Sequence, residues 1–219
     1  MTPSSRLVLH DLAAFPNPAR VRIALYEKGI FDQVQCVEVD VMNGEHRGEA
    51  FRAMNPDASV PCLVLEDGTA LSQCTAIIEY LDAHTAAPSL TGINATERGV
   101  ISMMNRRAEA NLLDAVGAYF HHATAGLGPV LEQHQNRDWG LRQREVAVAT
   151  LSQFNELLAT QDWLAGERFS VADITAFAGM CFIGFTDIEV PETLTHLHAW
   201  HARVLARESV KAWQESLGQ

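Results

Sequence analysis

The first third of the chain alternates short apolar runs with amphipathic stretches, and the remainder repeats its apolar positions at helical spacing. Arg6 to His10 reads as a strand built on Leu7-Val8-Leu9. Pro16 and Pro18 open a helix that runs through Arg20 to Leu25, with Gly29 as its stop. Val34 to Val39 forms a second strand, and a turn at Asn43-Gly44 leads to a short helix near Arg47 to Ala53. Val60 to Leu65 is the next strand, and Asp67-Gly68 is a hairpin turn into Ala70-Leu71. Gln73 begins a helix whose apolar face is Ile77, Ile78, Tyr80 and Leu81. The order β-α-β-α-β-β-α predicts one small mixed sheet covered by helices.

From about Pro88 the pattern changes. Thr91 to Asn94 reads as a linker, and helical periodicity then runs over Thr96–Ala123, Trp139–Thr160, Ser170–Phe185 and Glu192–Leu205. The segment Thr124 to Pro129 breaks the first two of these. Ser170-Val-Ala-Asp173 is a capping box, in which the Ser hydroxyl and the Asp carboxylate satisfy free N–H groups at a helix start. The expected fold class is α/β plus all-α, with one domain over residues 1–86 and an all-helical one over 96–219.

Composition narrows the partners. A net charge of -11 argues against nucleic acid, which needs clustered cations to displace counterions, and against an anionic membrane surface. No stretch reaches the roughly 18 to 20 apolar residues of a spanning helix, and Met1 to Arg6 does not read as a leader. Cys36, Cys62, Cys74 and Cys181 are scattered without a C-x-x-C, which suits reduced thiols and a cytoplasmic protein. His196, His198 and His201 lie close together, but only His198 and His201 share a helix face, so no metal is expected. The pairs Arg106-Arg107 and Arg142/Arg144 read as solvated or ion-paired faces.

Two features of the first third carry chemistry. Val60-Pro61 follows a polar loop and precedes a strand. With a cis bond, Val60 would offer its main chain to an extended peptide ligand; otherwise Pro61 is an ordinary edge proline. Gln73-Cys74 opens a helix after a hairpin, where free N–H groups and the positive dipole end favour a carboxylate.

Taken in order, these segments resemble the glutathione transferase superfamily. The resemblance rests on Pro16-Asn-Pro-Ala-Arg-Val-Arg-Ile-Ala-Leu-Tyr-Glu-Lys-Gly29, Asn43-Gly-Glu-His46, Asn55-Pro56, Ser59-Val-Pro-Cys-Leu63, Gln73-Cys-Thr-Ala-Ile-Ile-Glu-Tyr-Leu81 and Phe169-Ser-Val-Ala-Asp-Ile-Thr175. Cys74-Thr-Ala-Ile77, Met103-Met-Asn-Arg106, Tyr119-Phe-His-His-Ala-Thr124, Gly126-Leu-Gly-Pro129 and Trp139-Gly-Leu-Arg-Gln-Arg144 resemble one atypical, yeast Gtt-type branch. The resemblance implies a thioredoxin-like N-terminal domain, a helical-bundle C-terminal domain, and a homodimer. It also implies glutathione as co-substrate, with Val60 and Pro61 at its cysteinyl main chain, Gln73 and Cys74 at its γ-glutamyl end, and His46 at its glycine carboxylate. Cys74 stands where the family commonly has a Ser or Thr hydroxyl, and a thiol is a weak donor, so the backbone N–H must do more. Ser59 stands where related branches often place a cation.

The implied chemistry is attack by the glutathione thiolate on an apolar electrophile, which requires the thiol pKa to fall from about 8.5. The position that usually carries a Tyr, Ser or Cys is Phe15 here, without a donor. The backbone near Phe15 or Asn17, the helix dipole and the Asn17 side chain are what remains to hold the sulfur, although Asn17 reads equally as a helix-start residue. The atypical branch uses a water held by a His and a Ser on the first helix of the helical domain. His121 matches that His, and the Ser position is Gly117, which leaves a space for a water. Met103, Met104 and Tyr119 would line an electrophile pocket or simply pack the helical core. Two other readings share the site: glutathione-dependent peroxide or disulfide chemistry, and a non-catalytic binding protein.

Overall fold

The structure, a computed structural model, describes residues 6–86 and 88–218. The outer ends of the two expected domains, residues 1–5 and 219, lie outside the described residues. The chain divides into two compact units, one taking the residues up to Pro88 together with those from Glu208 onward, the other spanning Ser89–Arg207.

In the first unit β1 (Leu7–Asp11), α1 (Pro16–Glu27), β2 (Val34–Glu38), α2 (Glu49–Met54), β3 (Cys62–Val64), β4 (Ala70–Ser72) and α3 (Cys74–His84) follow in the expected order. The sheet runs β2-β1-β3-β4, with β1 parallel to β2 and the other two pairings antiparallel. This is a thioredoxin-like arrangement. Strand alternation divides the core into two layers. Leu7, Leu9 and Leu63 meet Val21 and Leu25 of α1 and Ile77 and Leu81 of α3. Cys62 meets Phe51 of α2 with Val39 and Val41, and Phe15 and Val60 pack against that second cluster. Each fully buried aliphatic side chain contributes about 1.5–3 kcal/mol.

Local signals place α1. Pro16 sits at its first turn, where a missing N–H costs nothing. Gly29 at φ +65° closes it: the Gly29 N–H donates to Tyr26 O and the Ile30 N–H to Leu25 O. The last helix, Glu208–Ser216, was not expected from the sequence. It belongs to the first unit, where Trp213 Nε1 donates to Ala13 O at 3.2 Å and Ser209 Oγ to Glu27 Oε1 at 2.5 Å. Its nine residues carry only Val210 and Trp213 as an apolar stripe, too little to read as a packed helix without the partner it covers.

In the second unit α4 (Ala95–Ala108), α5 (Asp114–Ala123), α6 (Arg137–Leu157), α7 (Val171–Ile183) and α8 (Thr195–Leu205) form a helical bundle. The single helix expected over Thr96–Ala123 is instead two, joined by a widened π turn at Glu109–Leu113. That turn seats Leu112 against Gly179 of α7, where a Cβ would lie 2.8 Å from Leu112 Cγ. The Ser170–Asp173 capping box is present, and Asp173 Oδ1 also accepts from the Leu164 N–H and from Trp200 Nε1, each at 2.9 Å.

Candidate functional site

A chain of contacts in the first unit joins most of the residues singled out in its sequence. Cys74 Sγ donates to Asn17 O at 3.3 Å. Gln73 Nε2 donates to Asp57 Oδ2 at 3.2 Å, and the Asp57 N–H donates to Asn55 Oδ1 at 3.2 Å. The buried Asn55 side chain donates to Ser59 O at 2.7 Å and so braces the residue before Val60. Arg20, almost wholly buried in the first turns of α1, donates to Asn17 Oδ1 at 3.0 Å and to Thr75 Oγ1 at 3.3 Å. Arg20 and Asp57 carry no site role in the sequence, and Asn55 enters there only through the Asn55-Pro56 motif. Arg20 reaches Thr75 across 55 residues and Gln73 reaches Asp57 across 16, pairs that no local pattern encodes, whereas Asn55 pairs locally with Ser59 and Asp57.

The backbone is unusual at the same place. The Val60–Pro61 bond is cis. Ala58 at φ 49° and Gln73 at φ 71° are the two non-glycine residues with positive φ among the described residues. Such conformations cost on the order of 1–3 kcal/mol each and persist where the surroundings impose them, often at ligand clamps. Both flank the loop that Asn55 and Gln73 tie together.

The start of α1 is short of donors. Pro16 and Pro18 have no N–H. The Phe15 N–H already donates to Leu12 O at 2.9 Å, and the Ala19 N–H to Phe15 O. Asn17 alone therefore presents an unpaired main-chain N–H in that first turn, among the described residues. It does so at the positive end of the helix dipole and beside Cys74. The Phe15 side chain turns into the second core cluster. The Cys74 thiol proton is likewise engaged with Asn17 O.

His46 sits outside this network, on the turn Glu45–Arg47 that precedes α2. It is buried, and its Nδ1 has no hydrogen-bond partner. Burial, and then the nearby Arg47 and Arg52 cations, hold its pKa below the usual histidine value, so the ring is neutral at pH 7.

In the second unit His121, near the C-terminus of α5, pairs through Nδ1 with Glu132 Oε1 at 2.6 Å. Its ring also meets Phe120 and Phe182 edge-on, at centroid distances of 5.0 and 6.3 Å. His122 is a structural residue, its Nδ1 accepting from the Asn136 N–H at 3.0 Å. The space expected beside Gly117 is taken by an aromatic ring: a Cβ there would stand 3.1 Å from Phe182 Cε1. Met104 and Tyr119 are buried, while Met103 is exposed. Tyr119 donates its hydroxyl to Asp187 Oδ1 at 2.5 Å. His198 Nε2 pairs with Pro191 O, and the His201 ring tilts against Phe177 and Trp200.

Comparison with known proteins covers both units. The glutathione S-transferase N-terminal domain family matches residues 16–84, and the glutathione S-transferase C-terminal domain family matches residues 115–208. The chain is 48% identical to glutathione S-transferase 2 of Saccharomyces cerevisiae over 206 residues, 94% of this chain and 88% of that protein. The crystal structure of Gtt2 from the same yeast superposes with a TM-score of 0.92, covering 94% of this chain and 99% of that one. A glutathione S-transferase domain-containing protein of Marinobacter aquaeolei, 59% identical, superposes with a TM-score of 0.92 over 93% of this chain and 99% of its own.

Proposed function

This chain belongs to the glutathione S-transferase family, and from that premise we propose that it joins the thiolate of glutathione to an apolar electrophile. The observation that carries the reading is the unpaired Asn17 N–H at the start of α1. A donor fixed at a helix N-terminus favours a thiolate over a thiol, which is the work a Tyr or Ser hydroxyl would otherwise do. His121 is the proton acceptor in this reading. Once the thiol proton is lost, the sulfur lone pair attacks the electrophile.

Glutathione itself is read onto the contact network. The γ-glutamyl carboxylate meets the first N–H groups of α3 at Cys74, and Gln73 with Asp57 faces the γ-glutamyl ammonium. The main chain of Val60, ahead of Pro61 and braced through Ser59, pairs with the cysteinyl amide. His46, neutral, donates one hydrogen bond to the glycine carboxylate. Phe15 enters through its backbone as the N-cap of α1.

The resemblance also supports a homodimer, and Val100 with Met103, three residues apart on α4, leaves apolar surface exposed. The four free cysteines support a reducing, cytoplasmic setting. Among the described residues no helix is long and apolar enough to cross a membrane.

The reading is tested by retention of the full chain on immobilised glutathione, followed by assay with a generic aryl halide and with a hydroperoxide. Retention with aryl-halide turnover is expected. Turnover of the hydroperoxide alone would move the protein to peroxide chemistry, and retention without either activity would make it a binding protein. That last outcome is the one the turned-in Phe15 side chain favours among the alternatives.

A further inference from the structure

We infer that Trp213, on the last helix, is a positioning residue for the main-chain donor that holds the glutathione thiolate. The inference rests on the reading of the Asn17 N–H as that donor, and every group it uses lies in the first unit.

The stretch ahead of α1 is a tight turn over residues 12–15, closed by the Phe15 N–H, which donates to Leu12 O at 2.9 Å. Its central residues are Ala13 and Ala14, and alanine has no turn-forming chemistry of its own. On the helix side the path is set locally. Pro16 restricts the residue before it to extended backbone, and Phe15 lies at φ -79° and ψ 147°. Ala13 has no such local constraint, and Trp213 supplies one from 200 residues away: its indole Nε1 donates to Ala13 O at 3.2 Å.

The indole is itself held. Trp213 is buried, and a buried indole N–H without a partner would forfeit a hydrogen bond, so the contact to Ala13 O is the stable one. Val210, three residues earlier on the same face, is wholly buried. Ser209 Oγ donates to Glu27 Oε1, and Ser216 hydrogen-bonds with Tyr26, so the helix is tied to the far end of α1 as well.

The chemical consequence is direction at the sulfur. A hydrogen bond weakens steeply as its angle closes, so an Asn17 N–H on a turn that rocks stabilises a thiolate less than a fixed one. The groups read as holding the rest of glutathione, at Val60 and the start of α3, do not pass through this turn. Trp213 therefore acts on thiol ionisation and not on affinity for the peptide frame.

The experiment reads the ultraviolet absorbance of the thiolate in the glutathione complex of the full-length protein as pH is varied, with no electrophile present. In the wild type the bound thiol is expected to titrate well below the value of about 8.5 of a free thiol. Trp213→Phe, which keeps an aromatic ring but no N–H, should raise that value by about half a pH unit, or about threefold in the thiolate-to-thiol ratio. Its Kd for S-methylglutathione, which has no thiolate, should change less than about twofold. Val210→Ala, which removes packing from the same helix but no hydrogen bond, should leave the thiol value unchanged. A wild-type complex that titrates like the free thiol would overturn the parent reading and the positioning role with it. A wild-type value kept in Trp213→Phe would remove Trp213 alone, as would an equal rise in Val210→Ala or an equal loss of S-methylglutathione binding. Should Trp213→Phe fail to fold, the 15N indole signal of Trp213 in the wild type decides the matter. It is expected to shift as bound glutathione ionises and to stay still with S-methylglutathione over the same pH range; a signal that ignores the thiolate would overturn the inference.

Discussion

The Lys28 ammonium lies 2.9 Å from Asp82 Oδ1, and the two side chains are 0% and 5% exposed. The pair joins the C-terminal end of α1 to that of α3, and Lys28 Nζ also donates to Pro88 O at 2.5 Å. Removing one partner leaves the other charge desolvated, which typically costs about 3–5 kcal/mol. Asp82→Asn should therefore lose roughly that much stability in urea unfolding. Lys28→Met combined with Asp82→Leu should regain most of it, because the cost lies in the orphaned charge more than in the missing attraction. A double variant as unstable as the single one would contradict this account.

Asp173 gives a second prediction, with a sign that runs against the usual acid case. Burial pushes its carboxyl up from 3.8 to about 6, against donors from Leu164, Trp200 and Ser170 that pull it down. A carboxyl whose folded pKa is raised holds its proton in the native state while the unfolded chain has lost it. Its contribution to stability is complete below pH 3.8 and is lost as pH rises towards about 6, by an amount on the order of 3 kcal/mol. The stability gap between wild type and Asp173→Asn should shrink across that window and stay constant above it. A gap that widens with rising pH would show that the hydrogen bonds outweigh the burial.

Phe15, which the resemblance sets where the family usually carries a hydroxyl, packs its side chain with Val39, Val41, Phe51 and Cys62. Phe15→Ser should cost about 2–3 kcal/mol of stability from lost packing, less than a fully buried Phe→Ala change. It should not raise kcat with an aryl halide, since the new hydroxyl would point into the same cluster. A rise in kcat would mean that the side-chain direction at residue 15 had been misassigned and that Asn17 is not the sole donor to sulfur.

The contrast between Phe15 and Glu132 shows what a sequence makes legible. Local chemistry was readable: Pro16 and Gly29 delimit α1, the Ser170–Asp173 box starts α7, and the alternation in β1 fixes which residues face the core. The motif at Val60–Pro61 and Gln73–Cys74 was readable as an ordered series, and the contacts through Asn55 and Asp57 join it. Pairs set by tertiary approach left no trace. Glu132 is one polar residue in a polar segment until that segment folds onto His121. Gly117 reads as open space until Phe182 arrives from α7. The helix Glu208–Ser216 is too short to announce itself without the face of α1 it covers.

His46 supplies the last prediction. Its Nδ1 is buried and unpartnered, and burial with the Arg47 and Arg52 cations depresses its pKa. A protonated ring would bury a donor at Nδ1 with nothing to receive it, so the neutral ring with its proton on Nε2 is the stable form. In the proposed reading His46 would therefore meet the glycine carboxylate through one hydrogen bond and no charge of its own. A hydrogen bond to a charged group is worth about 1.5–3 kcal/mol, so His46→Ala should raise KM for glutathione about tenfold or more with kcat little changed. His46→Gln, which keeps an N–H donor, should recover most of the loss. Because the folded pKa lies below 6.5, raising the pH from 6.5 to 8 should not weaken glutathione binding through this residue: the ratio of KM in His46→Gln to KM in wild type stays flat. A ratio that falls steeply over that range would mean that wild type binds by a charge it then loses, and that the depressed pKa of His46 is wrong.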